Sequence, residues 1–244
     1  MAEESGVDIL IPYHAQYAHV RNLVLSIIQH TLVDSFSSYR ITLVDDFSKN
    51  INFFDEISKY DYLDAIRLSE HRGFGAAVNA GITHTKKPYI ALLNSDCLIK
   101  EANWLIELWN AYLRLSKSDN VRLVSSCMNN AVNGSKLQQQ DCVGRDTKDR
   151  IVSSPLSLVC CFFPRKLIDR IGYFKEYSFG YYEDEEFFFR MKKFGYKQAV
   201  TGKSWVYHEG GLTTNYLWNK NPEIKKVMLE DNRNKCMIDV RRLV

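Results

Sequence analysis

Short apolar runs that each stop at a polar cluster recur through the first hundred residues, with helix-like segments between them. Asp8 to Tyr13 (DILIPY), Arg40 to Val44 (RITLV), Asp64 to Leu68 and Tyr89 to Leu93 read as strands. Val20 to Thr31, Asn52 to Lys59 and Gly75 to Thr85 carry the apolar spacing of helices. Strand and helix in repetition predict an α/β fold with a mainly parallel central sheet and helices on both faces. In such sheets ligands bind beyond the carboxyl ends of the strands, where loops from neighbouring strands converge. Tyr13-His14, Asp45-Asp46, His71-Arg72 and Asn94-Ser95-Asp96 all follow strands and are therefore expected on one rim.

The second half is less regular. Ala102 to Leu115 reads as a helix and Val121 to Cys127 as a strand, after which Asn129 to Arg150 is polar and reads as hairpin and loop. Leu156 to Phe163 is read as a buried strand, Arg165 to Ile171 as a short helix, and Asp184 to Phe194 as a helix closed by Gly195. Lys197 to Val200 and Ser204 to His208 complete the strands. From Leu212 the pattern changes, with a helix expected from Pro222 that carries Lys225, Lys226, Arg233, Lys235, Arg241 and Arg242. The expected organisation is one domain over residues 1–211 and a helical appendage over 212–244 packed on it. The basic bias of the appendage reads as a solvated helix face, with a peripheral membrane or polyanion contact as the other reading.

A chain of 244 residues with 45% hydrophobic and 25% charged residues can bury a good core, and a net charge of +3 gives no nucleic-acid signature. No apolar run approaches the roughly 20 residues of a membrane-spanning helix. The opening Met-Ala-Glu-Glu-Ser-Gly lacks the basic and apolar regions of a signal peptide, so a cytoplasmic location is expected, with the inner face of the membrane as its variant. Six scattered cysteines without CxxC spacing predict neither a disulfide framework nor a zinc site.

Single residues leave alternatives open. Asp96 at a strand end suits Mg²⁺ or Mn²⁺, which prefer carboxylate oxygen and keep substrate phosphate and water in their other positions; it also suits a turn or helix cap. His208 reads either as a ligand or as a hydrogen-bonded structural histidine. Asp45-Asp46 could accept hydrogen bonds from a nucleotide or simply build a turn. Arg72 precedes a glycine-containing helix start, where a guanidinium could meet a base or phosphate. Val78 stands where the dinucleotide fingerprint GxGxxG needs its last glycine, which argues against a dehydrogenase. The run Glu183 to Glu186 reads either as charges complementing a helix dipole or as the source of a general base whose pKa its neighbours raise.

Taken together, residues 7 to 212 resemble a family 2 glycosyltransferase of the GT-A fold, closest in flavour to rhamnosyltransferase-like members. Ile11-Pro12-Tyr13-His14 resembles the family's opening strand, Leu43-Val44-Asp45-Asp46-Phe47-Ser48 its Val-Asp-Asp-x-Ser motif, and His71-Arg72-Gly73-Phe74-Gly75 its Asn-x-Gly-Phe helix start. Leu92-Leu93-Asn94-Ser95-Asp96 resembles the Asp-x-Asp region, and Gly172-Tyr173-Phe174 through Tyr182-Glu183-Asp184 the Gly-Gly-Phe-Asp to Glu-Asp segment. Asn94 replaces the first Asp of Asp-x-Asp, and His71 replaces the usual Asn. The resemblance implies an inverting enzyme that moves a sugar from a UDP- or dTDP-sugar to a glycan or lipid-linked acceptor. It also implies Asp184 as base, Asp96 and His208 as ligands of Mn²⁺ or Mg²⁺, and Pro12, Tyr13, His14, Asp45, Arg72, Asn94 and Ser95 around the donor. Glu183 and Glu186 would meet the acceptor or orient the base. The rival readings are a catalytically silent nucleotide-sugar-binding module and a nucleotidyltransferase; the second needs a glycine-rich basic loop that Pro12 to Val20 does not offer.

Overall fold

A strand covered on both faces has no polar side to turn outward, and all eight residues of β1 (Gly6–Tyr13) are buried. The computed structural model describes residues 6–32, 38–60, 63–131 and 135–243, with only the backbone of Ile57. In it β1 pairs in parallel with β2 (Ser38–Asp45) and β4 (Tyr89–Leu93), and β2 pairs in parallel with β3 (Leu63–Arg67). The sheet extends through β8 (Cys160–Pro164), β6 (Val121–Met128) and β9 (Lys197–His208) to the two-residue β5 (Cys97–Leu98), in the order β3-β2-β1-β4-β8-β6-β9-β5. β7 (Asp149–Val152) lies beside β9. β8 runs antiparallel to β4 and β6, and β5 and β7 antiparallel to β9, while β6 and β9 are parallel. The sheet is thus mixed but mostly parallel.

Two cores flank it, because side chains alternate along each strand. Val7, Ile9 and Ile11 of β1 pack with α1 (Tyr17–His30), α2 (Ile51–Ile57) and α4 (Trp104–Ser118), where Trp104 and Leu105 are fully buried. Leu10 points the other way, toward α3 (Phe74–His84), α5 (Arg165–Ile171) and α6 (Glu183–Lys193). The one carboxylate inside β1, Asp8, is paired with Arg165 at 3.1 Å and accepts the Lys87 amide at 2.7 Å, as a buried charge requires.

Several expectations from the sequence shift. The run from Leu156 is buried, but its ladder begins only at Cys160, because Ser157, Leu158 and Val159 turn aside to line a cleft. The two late strands are one strand, β9, whose pairing with β6 shifts register between Ser126 and Cys127 and so absorbs Gly202 without a break. The polar stretch from Asn129 contributes the start of β7; its residues 132–134 lie outside the described residues. The helix expected from Pro222 is present and runs without a break through α8 (Pro222–Lys226), a π-helical turn (Val227–Asp231) and α9 (Asn232–Arg241). It is preceded by α7 (Leu212–Lys220), which was not expected from the sequence and buries only Leu217. α9 packs on α6. No helix among the described residues is long and apolar enough to cross a membrane.

Candidate active site

Parallel strands deliver their carboxyl ends to one edge, and a cleft of about 630 Å³ opens there. Pro12, Tyr13 and His14 line it from the end of β1, and Asn94, Ser95 and Asp96 from the end of β4. His208 enters from β9, Glu183 and Asp184 from the first turn of α6. Three residues expected in the site are elsewhere. Asp45, Arg72 and Glu186 do not line the cleft.

The pairing of Cys97 with His208 in the β5–β9 ladder sets Asp96 beside the histidine. The strand end is pinned by Asn129, whose Oδ1 accepts the His208 amide at 2.7 Å and whose Nδ2 donates to its carbonyl at 3.0 Å. The ring donates from Nδ1 to the Asn130 carbonyl at 2.6 Å, because a carbonyl can only accept. In the neutral ring Nε2 therefore carries a lone pair, and it lies 3.2 Å from Asp96 Oδ1, buried and without a hydrogen-bond partner. Burial opposes charge on both groups, yet each partner shifts the other: the Asp96 carboxyl is held below its ordinary pKa and the His208 imidazole above its own. Such a pair attracts positive charge, whether proton or metal. Among the described residues no cluster of three or more His, Cys, Asp or Glu could hold a metal ion.

At the other corner, burial pushes the Asp184 carboxyl up to about 6. Its Oδ1 accepts the Glu185 amide at 2.9 Å. Glu183 is nearly fully buried, its Oε1 has no partner, and burial raises it to about 8. Glu186 is withdrawn from the site: one helical turn before Arg190, it forms a buried two-pronged ion pair at 2.6 and 3.0 Å with that guanidinium, which in turn holds the Ile171 and Tyr173 carbonyls. Folded protein thus keeps a proton on Glu183 between about pH 4.5 and 8 that unfolded chain has released, so its contribution is full at low pH and lost as pH rises through 8. Glu183→Gln fixes the neutral form. Its Tm is expected to lie near that of the parent at pH 5 and to exceed it by about 10 °C at pH 8.5 in thermal melts.

On the remaining wall, Asp46 takes the place expected of Asp45. Asp45 is fully enclosed, with one oxygen accepting the Ser48 amide and the other paired with Arg67, so no edge is left for a base. Asp46 lines the cleft, and its two oxygens accept the Arg72 and Gly73 amides at 2.8 and 2.7 Å. Burial raises its pKa to about 6. Only the backbone of Arg72 serves the site; its side chain is exposed and pairs with Glu176. His71, expected from the sequence on this rim but given no role there, lines the cleft and stacks on His14 with ring centroids 4.0 Å apart. Gly73 has φ +94°, and a Cβ there would lie 2.8 Å from the Phe179 amide nitrogen. Gly73→Ala is expected to cost about 2 kcal/mol or more and lower Tm by roughly 5 °C.

Buried polar atoms without partners are uncommon and call for a reason. Among the described residues four of the eight, Tyr13 Oη, Asn94 Oδ1, Glu183 Oε1 and His208 Nε2, belong to residues of this one cleft. The wall that follows β9, where Leu212, Thr213, Leu217 and Met228 close the cleft beside Tyr182, was not read from the sequence as part of the site.

No curated protein matches the chain in sequence. In structure it is similar to GalNAc-T7, solved with UDP, GalNAc and Mn²⁺, with TM-score 0.64 and 15% identity over 85% of this chain and 44% of that one. It is also similar to residues 1–349 of S. aureus TarS, with TM-score 0.59 and 14% identity over 87% of this chain and 63% of that one. The chain thus spans less than two thirds of either neighbour, and at these identities the likeness establishes the GT-A fold. Residues 8–172 match the family described as Glycosyl transferase family 2, and the chain belongs to that family.

Proposed function

We propose that the cleft transfers a sugar from a UDP- or dTDP-sugar to a hydroxyl of a glycan or lipid-linked acceptor, with inversion at the anomeric carbon. The observation that carries the reading is the gathering of partnerless buried polar atoms on one cleft that also holds a carboxyl tuned to about 6. Asp96 and His208 fit a divalent ion, Mn²⁺ or Mg²⁺, by their donor types and by the His208 Nε2, which has no hydrogen-bond partner and lies 3.2 Å from Asp96 Oδ1. Such an ion, when bound, supplies neutralisation of the charge that develops on a leaving nucleotide diphosphate. GalNAc-T7 binding UDP and Mn²⁺ on the same fold supports both the donor class and the ion.

Asp184 takes the acceptor hydroxyl proton while the new glycosidic C–O bond forms and the bond from the anomeric carbon to the diphosphate breaks. A single displacement from the opposite face inverts that carbon. A pKa of about 6 leaves the carboxylate mostly ionised at neutral pH yet basic enough to share the proton in the transition state. Pro12, Tyr13 and the stacked His14 and His71 form the wall for the nucleoside, with Asn94 and Ser95 near the diphosphate.

The test is a panel of nucleotide sugars screened with Mn²⁺ for thermal stabilisation and for nucleotide release with and without glycan acceptors. One UDP- or dTDP-sugar is expected to raise Tm by mass action and to release nucleotide faster when acceptor is present. Stabilisation without release would make the chain a binding module, and neither response would end the proposal.

A further inference from the structure

Just ahead of α6 the backbone passes through four consecutive left-handed residues. Phe179, Gly180, Tyr181 and Tyr182 have φ of 65°, 104°, 78° and 74°. Three of them are not glycine, and side chains rarely adopt this conformation, so the run persists only where its surroundings over-determine it. The run matters because it sets the direction from which the first turn of α6, with Asp184 two residues beyond Tyr182, enters the cleft.

What restrains the run comes largely from the C-terminal tail, beyond the residues that match the family. Asn232, completely buried at the start of α9, donates through its single amide group to the Ser178 carbonyl at 2.8 Å and the Gly180 carbonyl at 2.7 Å. Tyr182 Oη donates to the Leu229 carbonyl at 3.3 Å, and Tyr177 Oη to Asp239 at 3.0 Å. From the opposite side Gly73 packs without a side chain against the Phe179 and Gly180 amides. The turn is therefore pinched between the donor wall and α9, and Asn232 supplies the two shortest bonds to it.

We infer that Asn232 is a positioning residue for Asp184, acting through the left-handed turn, so that α9 completes the site of the reaction proposed above. The inference rests on that reading for its chemistry, but not for its geometry. Asn232 is not among the residues lining the cleft; it works by holding the turn that aims the first turn of α6. The titratable groups around Asp184 are Glu183 and Glu185 of its own helix and the Cys236 thiol of α9, which burial pushes up to about 12 and so keeps neutral. Asp184 lines the cleft and is half-buried, so loosening the clamp exposes its carboxyl further to water and its proton affinity falls toward that of an ordinary aspartate.

Asn232→Leu removes both donors at nearly constant volume and adds no charge. It also removes an Oδ1 that has no partner, which offsets part of the cost of leaving the Ser178 and Gly180 carbonyls without their donor. The Asp184 carboxyl is titrated by ¹³C NMR in the parent and the variant, and kcat and donor affinity are measured on the donor found by the panel. The expected result is a midpoint lowered by about half a pH unit or more, kcat reduced at least about tenfold, and donor affinity within about twofold of the parent. An unmoved midpoint in folded Asn232→Leu protein overturns the inference, whatever its activity, since a merely structural residue changes the folded fraction and not the titration. A normal midpoint in a parent that turns over no donor overturns the functional reading instead. Tyr182→Phe, which removes only the bond to Leu229, is expected to move the midpoint in the same direction by less. If both variants fail to fold, Asn232 is a stability residue and the positioning role is wrong.

Discussion

Asp184→Asn is expected to lower transfer by about 10² to 10⁴-fold while leaving donor and Mn²⁺ affinity as in the parent. The exchange keeps the shape of the side chain and the oxygen that accepts the Glu185 amide, so the first turn of α6 stays in place. It removes only the capacity to take a proton, which matters in the transition state and not in the ground state, so the loss falls on kcat. The pH dependence has a matching sign. The carboxyl is raised to about 6, and only its ionised form accepts a proton, so log kcat is expected to rise with a slope of about one below pH 6 and flatten above it. In Asp184→Asn that limb disappears. Turnover preserved in the variant, or a limb that survives it, would place the base elsewhere on the cleft.

His208→Ala is expected to raise the Mn²⁺ concentration needed for half-maximal activity at least tenfold, since even outer partners of metal ligands cost 10–100-fold when lost. Excess chelator is expected to abolish transfer in the parent. The substitution is clean because the strand end does not depend on the ring: Asn129 holds the His208 amide and carbonyl through the backbone. It also leaves the Asn130 carbonyl without its donor, so the thermal midpoint with and without Mn²⁺ must be compared, and the metal-dependent part of the stabilisation is the quantity that should shrink. Activity undiminished in chelator would contradict the roles of both Asp96 and His208.

Of the fold, the strand ends were legible because they are local patterns: an apolar run buried on both faces must stop where polar groups begin. The rim that gathers Tyr13, Asn94 and Asp96 followed from parallel connectivity alone. Pattern failed where the outcome depends on which way one side chain turns. Asp45 and Asp46 are neighbours of equal chemistry, yet the first is consumed by Ser48 and Arg67 beneath the wall and the second faces the cleft. Glu183 and Glu186 stand in one acidic run, but Arg190 lies one turn beyond Glu186 and takes it. The break in Leu156 to Phe163 could not be seen either, because burial is the same in a strand and in a cleft wall.

By itself the sequence determined the alternation of elements, the acidic strand end at Asp96 and the acidic helix start at Asp184, since each is written in consecutive residues. Only the tertiary structure decided that His208 turns an unpartnered nitrogen toward Asp96 and that the tail closes over Asp184 through Asn232. Those contacts join residues about 110 and about 50 positions apart, and no local preference specifies a meeting that the packing of whole elements has to arrange.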